Sequence, residues 1–156
     1  MKSKILAAAA ISCALVPMAS LAASTTHTVS VSATVNGTCR FEAAGPTALS
    51  FGTLDQSLAT NATATTANIG YRCTTGTAAS VTKASPNDSA ANAHNLKDGA
   101  NSIPYTATLT GATQTGTGHA TGQTKNMTVS GTILNADYVN AAAGSYADTL
   151  TLTIAP

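Results

Sequence analysis

Three cysteines, three histidines and six acidic side chains are the groups through which this 156-residue chain could do chemistry. Cys39 and Cys73 belong to no C-x-x-C pair, so the dithiol redox motif is absent. A four-ligand zinc site would have to recruit His27, His94 and His119, which are scattered along the chain. The acids Glu42, Asp55, Asp88, Asp98, Asp137 and Asp148 are widely spaced, so a catalytic carboxylate pair would have to come from the fold alone. No G-x-S-x-G, H-E-x-x-H, phosphate loop or dinucleotide fingerprint occurs. His27 falls in a polar tail, and His94 and His119 read as loop residues with solvated imidazoles. The pattern points away from an enzyme, and no cofactor or metal is expected.

The first residues change what the cysteines mean. Lys2 and Lys4 form a short basic segment, residues 5–16 are an apolar run too short to span a bilayer comfortably, and residues 17–23 are helix-breaking and small. Residues 1–22 are expected to be a secretory signal peptide, cleaved after Ala22, leaving a mature form with no membrane insertion. Cys13 would leave with it, so Cys39 and Cys73 are the pair in an oxidising compartment and are expected to form one disulfide. A loop of that length stabilises by about 4 kcal/mol in the chain-entropy model.

Losing Lys2 and Lys4 from seven basic residues leaves five against six acidic ones. Arg40, Arg72, Lys83, Lys97 and Lys125 are dispersed, which excludes a basic patch for nucleic acid or anionic membrane. The mature length of about 134 residues suits one domain with its own core.

The elements that must carry these residues read as short strands between turns. Val29, Val31, Ala33 and Val35 alternate with serine and threonine, which marks one face of a half-buried strand. Residues 48–54 alternate again, and a polar loop is expected from there to about Thr65. Ala67, Ile69, Tyr71 and Cys73 share one face of a further strand, with Cys73 on the buried side. Residues 79–84 form a weak strand, followed by a turn at residues 85–88. Ile103, Tyr105, Ala107 and Leu109 alternate, with Pro104 marking an edge or an early part of that strand. A glycine-rich loop at residues 111–124 precedes a strand through Met127, Val129, Gly131 and Ile133. Leu150, Leu152 and Ile154 alternate with threonines in the last strand.

No segment after the signal shows a helical period. The expected fold class is all-β, with seven or eight short strands in an immunoglobulin-like sandwich and a barrel as the alternative.

Four stretches together resemble the spore coat protein U domain family, which includes the pilins of archaic, Csu-type chaperone–usher pili. They are residues 29–35 followed by Cys39; Leu49 to Gly52; Tyr71, Arg72, Cys73 and Gly76; and the closing run from Gly144 through Tyr146, Asp148 and Thr149 to Ile154. The resemblance implies an immunoglobulin-like sandwich that is incomplete, missing its last strand, and is completed by donor-strand exchange. Residues 23–36 would be the N-terminal donor extension, with Val29, Val31, Ala33 and Val35 as donor residues, and residues 37–156 the pilin domain. Leu150, Leu152 and Ile154 would flank the acceptor groove in part.

The implied partners are other pilin subunits or further copies of this chain, a periplasmic chaperone and an outer-membrane usher. The implied location is a fimbrium on the cell surface, reached through the periplasm, where it would support adhesion and biofilm formation. The mature length favours a shaft or minor subunit over a two-domain tip adhesin. The competing expectation is a self-contained secreted coat or binding domain in which the opening strand pairs within its own sheet.

Overall fold

The computed structural model describes residues 24–43, 45–89 and 93–156. The expected signal peptide, residues 1–22, lies outside the described residues. The chain divides into two units, Met1–Ala33 and Thr34–Pro156. In the first unit, residues 24–33 belong to no strand or helix, and Val29 and Val31 are 74% and 88% exposed. Residues 34–38 of the second unit are also outside every strand, and Val35 is 82% exposed. The stretch whose alternation marks a half-buried strand is therefore an exposed segment in no ladder. Alternation fixes which side chains would share a face, but it supplies no neighbouring strand to bond to.

Apart from one short helix, the regular elements described in the second unit are all strands. They are β1 (Cys39–Phe41), β2 (Ala62–Thr65), β3 (Ile69–Cys73), β4 (Ser80–Ala84), β5 (Ala93–Asp98), β6 (Asn101–Thr110), β7 (Lys125–Ile133) and β8 (Thr151–Ala155). One sheet has the order β1-β3-β7-β6-β5, with β2 also on β7, and a second sheet pairs β4 with β8. Each of these ladders is antiparallel. The architecture is a two-sheet sandwich rather than a closed barrel.

Strand β7 is the centre of the larger sheet because its apolar period is long and uninterrupted. Met127, Val129 and Ile133 are all buried on one face, with Gly131 between the last two. Along one edge, β2 pairs with residues 130–133 and β3 with residues 125–127. Between them Thr66 breaks the ladder: its N–H donates to the Val129 carbonyl at 2.9 Å and its Oγ1 accepts from the Val129 N–H at 3.0 Å. The buried hydroxyl thereby stands in for a carbonyl, and both Val129 backbone groups stay satisfied.

Two clusters fill the space between the layers. Ile103, Tyr105, Ala107, Val129, Ile133 and Tyr138 form one, with Leu150 and Leu152 packed against it. Tyr71, Cys73, Ala79, Val81 and Met127 form the other, with Leu152 and Ile154 against it. Cys39 and Cys73 are register partners of β1 and β3 and form a disulfide. Pro104 is tolerated in β6 because the ladder with β7 begins at Thr106, so no partner on that side needs its missing N–H.

Several elements depart from the expectation. Residues 48–54 form no strand, although Leu49, Phe51 and Leu54 pack on the core. Strands β2 and β5 lie in stretches expected to be loops, and a four-residue helix, α1 (Asn135–Tyr138), follows β7. His94 is a correction: it is on β5 and 1% exposed, not a solvated loop residue. The inward positions of β5 are His94, Leu96 and Asp98, so polar residues on the inner face break the apolar period that would have marked the strand.

Candidate functional site

A groove runs between the chain segment that follows β1 and the segment that leads into β8. One half, of about 580 Å³, is lined by Phe41, Pro46, Leu49, Leu150 and Leu152, with Ile69 and Val129 behind them. The other half, of about 940 Å³, lies between residues 49–57 and residues 141–148 and reaches Leu96, Ile103 and Tyr138. The two halves meet at Leu49 and Asp148. One wall runs from residue 41 to 57 while the other runs from 152 back to 141, so the walls are antiparallel.

The first wall is held by side chains instead of a ladder. Leu49 and Phe51 insert opposite Gly131 of β7, where a Cβ would stand 2.7 Å from Phe51 Cζ and 3.1 Å from Leu49 Cδ2. The glycine makes a notch in the buried face of β7, and the wall seats in it. Phe51 also meets the Tyr105 ring edge-on, at 5.9 Å between centroids.

The second wall passes from one sheet to the other. Ala147 bridges to Lys97 at the β5 edge through two backbone hydrogen bonds of 2.9 and 3.0 Å, and four residues later β8 begins its ladder with β4. Among the described residues, no strand pairs with the other edge of β8. Asp148 pins this crossover. Its Oδ1 accepts from Ser85 Oγ at 2.6 Å and Asn87 Nδ2 at 2.8 Å, and its Oδ2 accepts from Tyr105 Oη at 2.7 Å. Burial pushes the Asp148 carboxyl up, but hydrogen bonds from Ser85, Tyr105, the Thr149 N–H and Asn87 outweigh it and hold the group below its ordinary value. Burial, followed by the bond to Asp148, raises the Tyr105 phenol.

The network continues to β5, where His94 Nδ1 pairs with Asp88 Oδ1, and Asp88 Oδ2 accepts from the Ser85 N–H at 2.9 Å. Serine, histidine and aspartate thus lie close together, but the Ser85 hydroxyl donates to Asp148 and not to His94. A nucleophile needs its base within hydrogen-bond reach, so this cluster fixes the loop at residues 85–89 and activates nothing. His94 Nε2 is buried with no hydrogen-bond partner. Among the described residues, no group of three or more His, Cys, Asp or Glu could hold a metal ion.

A family model for the Spore Coat Protein U domain matches residues 25–153. The chain belongs to that family. No curated protein matches it significantly. Among solved structures, it is similar to the CsuC–CsuE chaperone–tip adhesion subunit pre-assembly complex from the archaic chaperone-usher Csu pili of Acinetobacter baumannii. The TM-score is 0.46 at 20% identity, over 78% of this chain and 40% of that chain. The present chain thus spans less than half of its length.

In this Spore Coat Protein U domain, the expected site residues do not fall in one place. Leu150 and Leu152 line the groove, while Ile154 packs with the cluster around Tyr71 and Cys73. Val29, Val31 and Val35 are exposed, as is Ala33. The disulfide ties β1 to β3, just before the first wall begins.

The reading of the sequence missed Asp148 as the hub of the crossover and Gly131 as the seat of the first wall. Asp148 carried a signal, its place in the closing Gly-x-Tyr-x-Asp-Thr run. Gly131 carried none beyond being the one residue without a side chain in an alternating apolar face.

Proposed function

We propose that this chain is a structural pilus subunit of the chaperone–usher type, in which residues 23–36 of one copy fill the groove of the next and residues 37–156 form the pilin domain. The observation that carries the reading is the apolar groove beside a strand, β8, whose outer edge has no ladder among the described residues. The same chain holds Val29, Val31, Ala33 and Val35 exposed at strand spacing. An incoming strand would satisfy the edge of β8 and lay those four side chains between the walls. Burying three valines at about 1.5–3 kcal/mol each gives roughly 4–9 kcal/mol before ordering costs. Membership of the Spore Coat Protein U domain family supports the same conclusion.

A contact that joins the extension of one copy to the groove of another does not close on itself, so it generates a filament. An apolar groove and a strand edge without a partner would aggregate in transit, which gives a periplasmic chaperone and an outer-membrane usher their roles. The product is a surface fimbrium serving adhesion and biofilm formation.

The test compares heated and unheated material sheared from expressing cells, run on a denaturing gel without reductant and probed for this chain. The reading expects a ladder or very large species that collapses to one band near the mature mass only after strong heating. A single monomer band in both lanes would indicate a self-contained secreted domain instead.

A further inference from the structure

At the Gln56 and Ala141 end of the groove the domain presents apolar side chains to solvent. Leu58 is 54% exposed and Leu134 50% exposed, and Ala142 and Ala143, which line this half of the groove, are exposed too. The surface is held in shape by backbone-directed side chains. Asn135 Nδ2 donates to the Leu58 carbonyl at 2.8 Å, and the Asn135 N–H donates to Asn61 Oδ1 at 2.9 Å. Gln56 Nε2 donates to the carbonyls of Tyr138 and Ala141 at 3.0 and 2.6 Å. Leu58, one residue beyond the groove-lining Ser57, is thus tied through its carbonyl to Asn135, the neighbour of Leu134. Rigid apolar surface of this kind loses little entropy on docking.

We infer that this end, with Leu58 and Leu134 at its centre, is the docking surface for the body of a second copy of this chain, the copy whose extension fills the groove. The inference rests on the proposed function and adds a second contact to it. Each ladder in the domain is antiparallel, and antiparallel pairing is the more stable per residue, so an incoming strand runs antiparallel to β8. Because the wall containing β8 runs from residue 141 toward residue 152, that strand enters beside Leu152 and leaves beside Ala141. In the sequence only Asn36, Gly37 and Thr38 separate Val35 from Cys39, the first residue of β1. Four residue steps span at most about 14 Å. The incoming copy's own sandwich therefore begins close to the groove's exit and is drawn against Leu58 and Leu134.

The experiment compares full chains expressed in their own assembly system: the parent, Leu58→Asn with Leu134→Asn, Leu58→Met with Leu134→Met, and Val31→Asp. Fibre length by electron microscopy and the rate of heat dissociation on gels are the readouts. The asparagine pair is expected to give shorter fibres that dissociate about tenfold faster, the consequence of removing two half-exposed leucine contacts, while the methionine pair matches the parent. Asparagine-pair fibres with parental length and dissociation rate would overturn the docking surface. Val31→Asp tests the underlying reading separately: it is expected to abolish fibres, and fibres from it would overturn the donor assignment whatever the leucine variants do.

Discussion

The Tyr105 hydroxyl donates a 2.7 Å hydrogen bond to Oδ2 of Asp148, joining β6 of the larger sheet to the point where the last segment crosses to the smaller one. Ser85 and Asn87 hold the other oxygen, so three side-chain donors converge on one carboxylate. The position of the second groove wall is set there.

Asp148→Asn keeps the shape but puts an NH2 where a donor already points. The expected cost is about 2 kcal/mol, in the range for hydrogen bonds to a charged group, measured as a lower denaturant midpoint with the slope unchanged. An unchanged midpoint would mean the crossover is held by its packing alone.

The same pair gives a dependence on pH. A carboxyl held below its ordinary value contributes stability that is present above about pH 4 and lost as pH falls through the folded pKa. A phenol raised by burial contributes stability that is present below about pH 10 and lost as pH rises further. These two groups should therefore add no slope of their own between those limits and a decline outside them. Tyr105→Phe should remove the alkaline decline. Asp148→Asn should remove only part of the acid decline, since the backbone N–H of Ser85, then the bond to His94, also lowers the Asp88 carboxyl. Denaturant midpoints across the pH range check both limbs.

Gly131→Val would place a side chain where Phe51 and Leu49 now sit. The overpacking should cost about 1–3 kcal/mol and push the first wall outward. The diagnostic reading pairs two probes: residues 48–54 should become cleavable by protease while the β6–β7 ladder at residues 106–110 keeps its protection from hydrogen exchange. Uniform loss across both would show that the notch supports the whole sheet and not the wall.

Replacing Cys39 and Cys73 by serine opens a loop of 34 residues and should cost about 4 kcal/mol. The thermal midpoint of the reduced parent should match that of the double serine variant. A much larger loss in the variant would mean that the serine hydroxyls, not the missing link, cause the damage.

How far the fold was legible in the sequence depended on how apolar each inner face is. Strands β6, β7 and β8 follow the alternations through Ile103, Met127 and Leu152 closely, because those inner faces are aliphatic or aromatic. Strand β5 was hidden because His94 and Asp98 take inner positions, and the pairing of His94 with Asp88, six residues earlier, leaves no mark in the apolar period. Residues 48–54 show the converse: Leu49 and Phe51 alternate as in a strand, yet they seat against Gly131 without a ladder. Of the groove, Leu150 and Leu152 were readable from the last strand, whereas Leu49, Phe41 and Tyr138 enter it only through tertiary packing.

The proposal that residues 23–36 fill the groove of this fold is tested by moving them. A chain that lacks them at its N-terminus and carries them after Pro156, through a short glycine–serine linker, can lay the strand antiparallel to β8 in its own groove. The expected product is a soluble monomer by size-exclusion chromatography that forms no fibres and whose thermal midpoint falls by about 7 °C, the effect of ~2 kcal/mol in a domain of this size, when Val31→Asp is introduced into the moved strand. A moved strand that leaves the protein aggregated, or whose Val31→Asp form melts at the same temperature, would contradict it.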